Sequence, residues 1–267
     1  MNKAGKMWKR TAGTAVLSVS CFFLLSTLSC GLDTYPYLYA PSIVHQSDYN
    51  SSDYLSNYFS FYTADSKNNG LTAVTFKGTE VYYKIFNNYS TMTTYQGAIN
   101  TLINDDDFTS AAEKIIETQG YKTIKLSTGS ITPLIKQDNG NDRYVYIRLT
   151  DYNDGDLKAG ICLNNTDPMS VYDEAYALTY NGTVVYPRRN ISSKYYTFNF
   201  GGDNTDTDVV PKEGDDDVCY SETASEEGTW YVSMYVLSVG IDTSTWIKYY
   251  SKPILLGSVS IVEGEKN

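Results

Sequence analysis

The sequence predicts a mainly β domain, and three observations carry that prediction. Tyrosine is abundant, 26 of 267 residues, and with Thr it favours pleated, half-buried surfaces. Gly, Asn and Asp recur between apolar segments, where they favour turns. Several segments alternate apolar and polar residues with the period of two that marks a strand.

Taken in order, Ile43-Val44 begins a strand after a stretch stiffened by Pro36 and Pro41. Gln46 to Asn57 is polar and loop-like, Tyr58 to Tyr62 reads as a strand, and Asp65 to Gly70 is turn chemistry. Glu80 to Phe86 is a strong strand, with Val81, Tyr83 and Ile85 on one face and Tyr82, Lys84 and Phe86 on the other. Helix then interrupts. Tyr95, Ala98, Ile99, Leu102 and Ile103 form one apolar stripe at helical spacing. Asp105-Asp106-Asp107 breaks it and caps a second helix, whose stripe is Phe108, Ala111, Ala112, Ile115 and Ile116 and whose stop is Gly120. This hairpin, predicted at about residues 93–119, is too short to persist alone and must lie on a sheet.

Strands resume at Lys122 to Leu126 and at Tyr144 to Leu149, with Val145, Ile147 and Leu149 inward. Tyr176 to Tyr180 and Thr183 to Tyr186 predict a hairpin, because Asn181-Gly182 supplies the two positive φ angles of its turn. Ile191 to Phe200 predicts another strand, and residues 201–217 an acidic loop. Trp230 to Val239 is apolar on both faces, so it should be central; Pro253 to Val262 closes the domain.

Three segments carry a family resemblance. Gly78-Thr79-Glu80-Val81-Tyr82-Tyr83-Lys84-Ile85 resembles the third strand of a fibronectin type III domain, Thr229 to Ser238 its penultimate strand, and Ser251 to Val259 its last. The resemblance implies an immunoglobulin-like β-sandwich. Such domains take about 100 residues, and the stretch between the third and penultimate strands is much longer here. One sandwich enlarged by the helical hairpin and extra strands is therefore expected over residues 43–267, with two sandwiches as the alternative.

The N-terminus has the order of a secretory signal: Lys3, Lys6, Lys9 and Arg10, an apolar stretch from Ala12 to Leu28, then Ser29-Cys30-Gly31. Ser18, Ser20, Ser26 and Thr27 dilute the stretch, which falls short of the about 20 mostly apolar residues of a spanning helix. The segment resembles a bacterial lipoprotein signal, and Ser29-Cys30-Gly31-Leu32-Asp33 is similar to the start of spirochaete lipoproteins of the treponemal type. The resemblance implies palmitate-type lipidation of Cys30, with stable anchoring by two or more acyl chains. The departure from the pattern is Leu28, one place later than usual. Cys21 is the rival site, followed by Phe22-Phe23; an ordinary signal peptide leaving Cys30 a plain thiol is the other alternative. Residues 1–29 are expected to be the signal and residues 30–42 a lipidated tether. The expected location is the cell envelope, at the outer membrane or cell surface rather than the inner membrane.

Loss of residues 1–29 removes four basic and no acidic side chains, taking the formal charge from −10 to −14. So acidic a surface repels phosphate backbones, and nucleic acid is not an expected partner. With Cys30 lipidated, Cys162 and Cys219 remain. Outside the cytoplasm they are candidates for a disulfide, whose closure would stabilise by about 4 kcal/mol; two separate buried thiols are the alternative.

Asp151-Tyr152-Asn153-Asp154-Gly155-Asp156 resembles a calcium loop only superficially. Its Gly sits at the fifth position and no Glu follows at the twelfth, so it reads as a turn. Asp203, Asp206, Asp208, Glu213, Asp215, Asp216 and Asp217, with only Lys212 among them, are candidate calcium ligands or a solvated loop. His45 is the sole histidine, which argues against a His-based zinc site, and no Gly-x-Ser-x-Gly elbow or phosphate-cradling Gly loop accompanies it. Arg188-Arg189 is a tight basic pair, read as a solvated hairpin end or a dock for an acidic partner. No cofactor is expected. The expected function is a non-enzymatic binding, adhesion or envelope-interaction module for an unknown protein or glycan ligand. The alternative is a glycan-binding or glycan-hydrolysing protein using surface tyrosines and a carboxylate pair.

Overall fold

The computed structural model describes residues 36–49, 54–152, 157–164, 168–191 and 194–264. The predicted signal, Cys30 and the first part of the tether lie outside the described residues, as do Asn153 to Asp156. In chain order the strands are β1 (Ser42–His45), β2 (Phe59–Tyr62), β3 (Val74–Phe86), β4 (Lys122–Thr123), β5 (Lys125–Leu126), β6 (Ile135–Lys136), β7 (Tyr144–Arg148), β8 (Gly160–Asn164), β9 (Thr179–Tyr180), β10 (Thr183–Val184), β11 (Pro187–Arg188), β12 (Val218–Cys219), β13 (Thr229–Asp242), β14 (Lys248–Tyr250) and β15 (Ile254–Val262). The α-helices are α1 (Asp65–Asn68), α2 (Tyr89–Asn104) and α3 (Phe108–Glu113).

Two sheets face each other. The smaller is antiparallel with order β1-β2-β7-β8. The larger is built on β3 and β13, paired antiparallel from Phe86–Tyr231 to Val74–Asp242. β15 and β14 share the far edge of β13, and β12, β4 and β6 share the far edge of β3. The predicted alternation on β3 is observed. Val81, Tyr83 and Ile85 face Phe59, Phe61, Val145, Ile147 and Ile161 of the smaller sheet, forming the main core with Val232, Met234 and Val236. Trp230 to Val239 is buried throughout, because β13 is paired along both edges.

The opposite face of the larger sheet carries the helices. Tyr82, Phe86, Tyr231, Tyr235 and Leu237 pack against Met92, Ile99, Ala112 and Ile115. Helix α2 begins where the Asn88 side chain accepts from Thr91 N at 2.9 Å. Asp107 caps α3 by accepting from Ser110 N at 3.1 Å. A π-helical turn, Lys114–Thr118, follows, and Gly120 ends the hairpin at φ 63°. The hairpin thus starts a few residues earlier than predicted. Asn88→Ala removes the α2 cap and is expected to cost about 1 kcal/mol, seen in thermal melting as a Tm lower by about 2–4 °C.

Several expectations are corrected. Part of the expected tether packs on the domain: Leu38 is buried against Val74 and Phe76, and Tyr39 N donates to Asn68 Oδ1 at 2.8 Å. Ile191 to Phe200 contains no strand among the described residues. Phe198 and Phe200 fill the core from an irregular segment whose amides pair elsewhere, as Thr197 N does with Thr207 O at 2.8 Å. The Asn181-Gly182 hairpin forms with φ 50° and 77°, but its strands are only two residues long.

The sheet edges are interrupted. β1 has four residues and a register shift between Ile43 and His45. Cys162 of β8 bridges to Ala177, and Ser47 bridges to Gly257 of β15. The far edge of β3 is divided among three two-residue strands.

Candidate functional site

The site is built around an irregularity in the central strand pair. Val239 pairs with Gly78, but Gly240 pairs with Phe76, so Lys77 is an extra residue on β3. Such a bulge re-aims side chains. Lys77 and Glu80, three apart and on opposite faces of a regular strand, line one groove. Gly78 makes the bulge possible. Its φ is 139°, and a Cβ there would lie 2.1 Å from Ile135 O.

The groove encloses about 580 Å³, within the roughly 300–1,000 Å³ of small-ligand sites. At its base Glu80 is 1 % exposed. Lys248 of β14 donates to Glu80 Oε1 at 2.8 Å and Oε2 at 3.0 Å, and the Tyr82 hydroxyl donates to Oε2. Burial works to lower the Lys248 ammonium pKa, but the hydrogen bonds and charge of Glu80 outweigh it and leave it raised. Burial, then the Glu80 charge, holds the Tyr82 phenol far above its ordinary range. Lys136, opposite Gly78 on β6, completes a set of three lysines, and Glu80 is the only carboxylate lining the groove among the described residues. Lys77 and Lys136 form no ion pair among the described residues.

Trp246 stands at the rim, 81 % exposed beside Ile247 at 66 %. A tight β13–β14 turn holds it. Asp242 Oδ1 accepts from Ser244 N, Ser244 Oγ and Thr245 N at 2.7, 2.6 and 2.9 Å. These bonds, the Ser244 side chain first, lower the Asp242 pKa to about 2. Trp246 has φ 61°, a left-handed conformation unfavourable for a bulky residue. A large apolar ring is therefore held out in water on a strained backbone, an arrangement that packing alone does not explain.

The sequence singled out none of Lys77, Lys136, Trp246 and Lys248. The legible signals were a Glu inside an apolar strand and a Trp at the end of the polar turn Asp242-Thr243-Ser244-Thr245. Of the sites it did single out, Arg189 and part of the acidic run serve the fold, and Cys30 lies outside the described residues. Arg189, expected to be solvated, is fully buried. Its guanidinium pairs with both oxygens of Asp217 at 2.8 and 3.1 Å and with Asp215 at 2.8 Å. Burial opposes its charge, yet Asp217 raises its pKa overall. Tyr83 also donates to Asp217, at 2.6 Å. Arg188 is half-buried and donates to Pro187 O.

The acidic run is consequently anchored at three of its seven acids, and the other four, Glu213 among them, are exposed as expected of a solvated loop. Asp217 and Asp215 turn onto Arg189, and Asp208 accepts from Thr197 Oγ1 at 2.7 Å, while Asp203, Asp206 and Asp216 are exposed. No cluster of His, Cys, Asp or Glu able to hold a metal occurs among the described residues, so the run does not converge into a calcium cradle. Cys162 and Cys219 are free. Cys162 packs with Tyr144 and Tyr146, whereas Cys219 packs beside the helical cluster, so the two thiols belong to different packing clusters. Burial pushes the Cys162 thiol up to about 11. His45 stacks on Tyr58 and bonds Ser56 O at 2.9 Å.

Among the described residues no helix is long and apolar enough to cross a membrane. Compared with known proteins, the chain matches no family model, no curated protein and no solved structure.

Proposed function

We propose that the protein is a lipid-anchored, extracytoplasmic binding module that engages its ligand at the Trp246 groove and does no chemistry on it. The observation that carries this reading is the strained, exposed Trp246 over a groove floored by the Glu80–Lys248 pair. The adjacency of β3, β13 and β15 in one sheet supports the fibronectin type III-like part of the reading. The basic, apolar and Ser29-Cys30-Gly31 order supports a spirochaete-type lipoprotein in the cell envelope. Among the described residues no second carboxylate lines the groove, which disfavours glycoside hydrolysis, a reaction that needs two flanking the scissile bond.

Cys30→Ala is expected to release the protein from the membrane fraction or leave its precursor uncut. Mass spectrometry finding an unmodified N-terminus at or beyond Gly31 contradicts the anchor. For the site, a benzophenone amino acid at position 246 of the anchored protein is expected to cross-link a ligand in intact envelopes. The same group at the exposed Tyr195 serves as control. Equal yields at both positions, or none at either, remove the groove from the reading.

A further inference from the structure

The charge of the groove opposes that of the chain. Three lysines and one carboxylate line it, in a protein whose formal charge is −10. Lys248 is already committed to Glu80, whereas Lys77 and Lys136 form no ion pair among the described residues, the Lys136 ammonium lying over the Tyr180 ring at 5.9 Å from its centroid. They are neighbours: Lys136 pairs with Gly78, and Gln137 N donates to Lys77 O at 3.0 Å. Lysines at such a position are point charges, suited to a single anionic group on a hydrated ligand. Beside them the Trp246 ring offers a flat apolar face that remains open to water. Gln137 and Thr132 add an amide and a hydroxyl to the wall. The occupant must therefore combine an anionic group, an apolar face that stacks on a ring, and hydroxyls that bond at their edges or stay wet.

We propose that the groove binds a carboxylated saccharide, a hexuronic acid chain being the representative, with a sugar face on Trp246 and a carboxylate between Lys77 and Lys136. This rests on the groove being the ligand site and adds the class of ligand. At the base the half-exposed Lys248 donates its remaining ammonium hydrogens to sugar hydroxyls, held in place by the buried Glu80 carboxylate, whose oxygens are taken by Lys248 and Tyr82.

The test uses the full protein purified from membranes in detergent, titrated by calorimetry at low salt. The probes are a hexuronic acid tetrasaccharide, the uncharged hexose tetrasaccharide of the same linkage, and inorganic phosphate. The acidic sugar is expected to bind at least about tenfold tighter than the neutral one, and to weaken as salt screens the lysines. Lys77→Ala and Lys136→Ala are each expected to lower its affinity about tenfold, and Trp246→Ala by a similar factor. Trp246→Phe should retain most of the affinity while losing the ligand-induced change in tryptophan emission. Unchanged circular dichroism shows that each variant is folded. Equal affinity for neutral and acidic sugars, tighter binding of phosphate, or indifference to all three substitutions overturns the proposal. If no saccharide binds while cross-linking at position 246 persists in envelopes, the ligand class is wrong and the groove stands. If neither is seen, both fall.

Discussion

Arg189→Met is expected to lower the unfolding free energy by about 3–5 kcal/mol, because it leaves a buried carboxylate without its counter-charge. Asp217 is fully buried and takes two guanidinium bonds plus the Tyr83 hydroxyl. Its backbone also holds the larger sheet, since Ile85 N donates to Asp217 O at 2.9 Å. Urea denaturation of the purified protein measures the loss as a shift in midpoint. Arg189→Lys is expected to recover little, since an ammonium cannot reproduce the two-pronged geometry. Adding Asp217→Asn to Arg189→Met should restore part of the stability by removing the stranded charge. A loss below about 1 kcal/mol, typical of an exposed pair, means that the network is solvated.

Gly78→Ala is expected to cost about 3 kcal/mol, combining backbone strain with forced displacement of β6. The added methyl would lie 2.1 Å from Ile135 O and 2.9 Å from Pro133 Cγ, at a φ of 139°. The same shift would move Lys136 and Lys77, so ligand affinity should fall with stability. Gly97→Ala is the control. It has open space at its Cβ and lies within α2, where Ala is the better helix former, so its stability should hold or rise. If Gly78→Ala melts like the wild type, the bulge is not the rigid element that positions the lysines.

The layers of the fold were legible because they rest on periodicity. Val81, Tyr83 and Ile85 declare a strand face, and Tyr95, Ala98 and Ile99 a helix face, from local spacing alone. The acidic run was misread at Asp215 and Asp217, because their fate is decided by a distant partner. Asp217 and Arg189 are 28 positions apart, and nothing local distinguishes a carboxylate aimed at solvent from one aimed at a buried guanidinium. Ile191 to Phe200 reads as a strand, but the Lys194, Thr197 and Asn199 amides pair within ten positions of themselves, and its two phenylalanines fill the core without a ladder. The groove was invisible for the same reason as Asp217. Lys77, Lys136, Trp246 and Lys248 come from three separate stretches of chain, and a bulge that breaks the period of two aligns Lys77 with Glu80.

The broken edges of the two sheets bear on how many copies can sit side by side. A continuous unpaired strand is a template on which a neighbouring chain can add its own, and fusion of adjacent sheets begins there. Here β1 is short and offset by its register shift, Ala177 occupies part of β8, and Ser47 occupies part of β15. The outer side of β3 is met by three separate two-residue pieces. Among the described residues each of these edges is interrupted by a short piece of chain or a register shift. If lipid confines this protein to a surface, where molecules meet far more often than in free solution, that geometry lets copies collide densely without zipping into fibres.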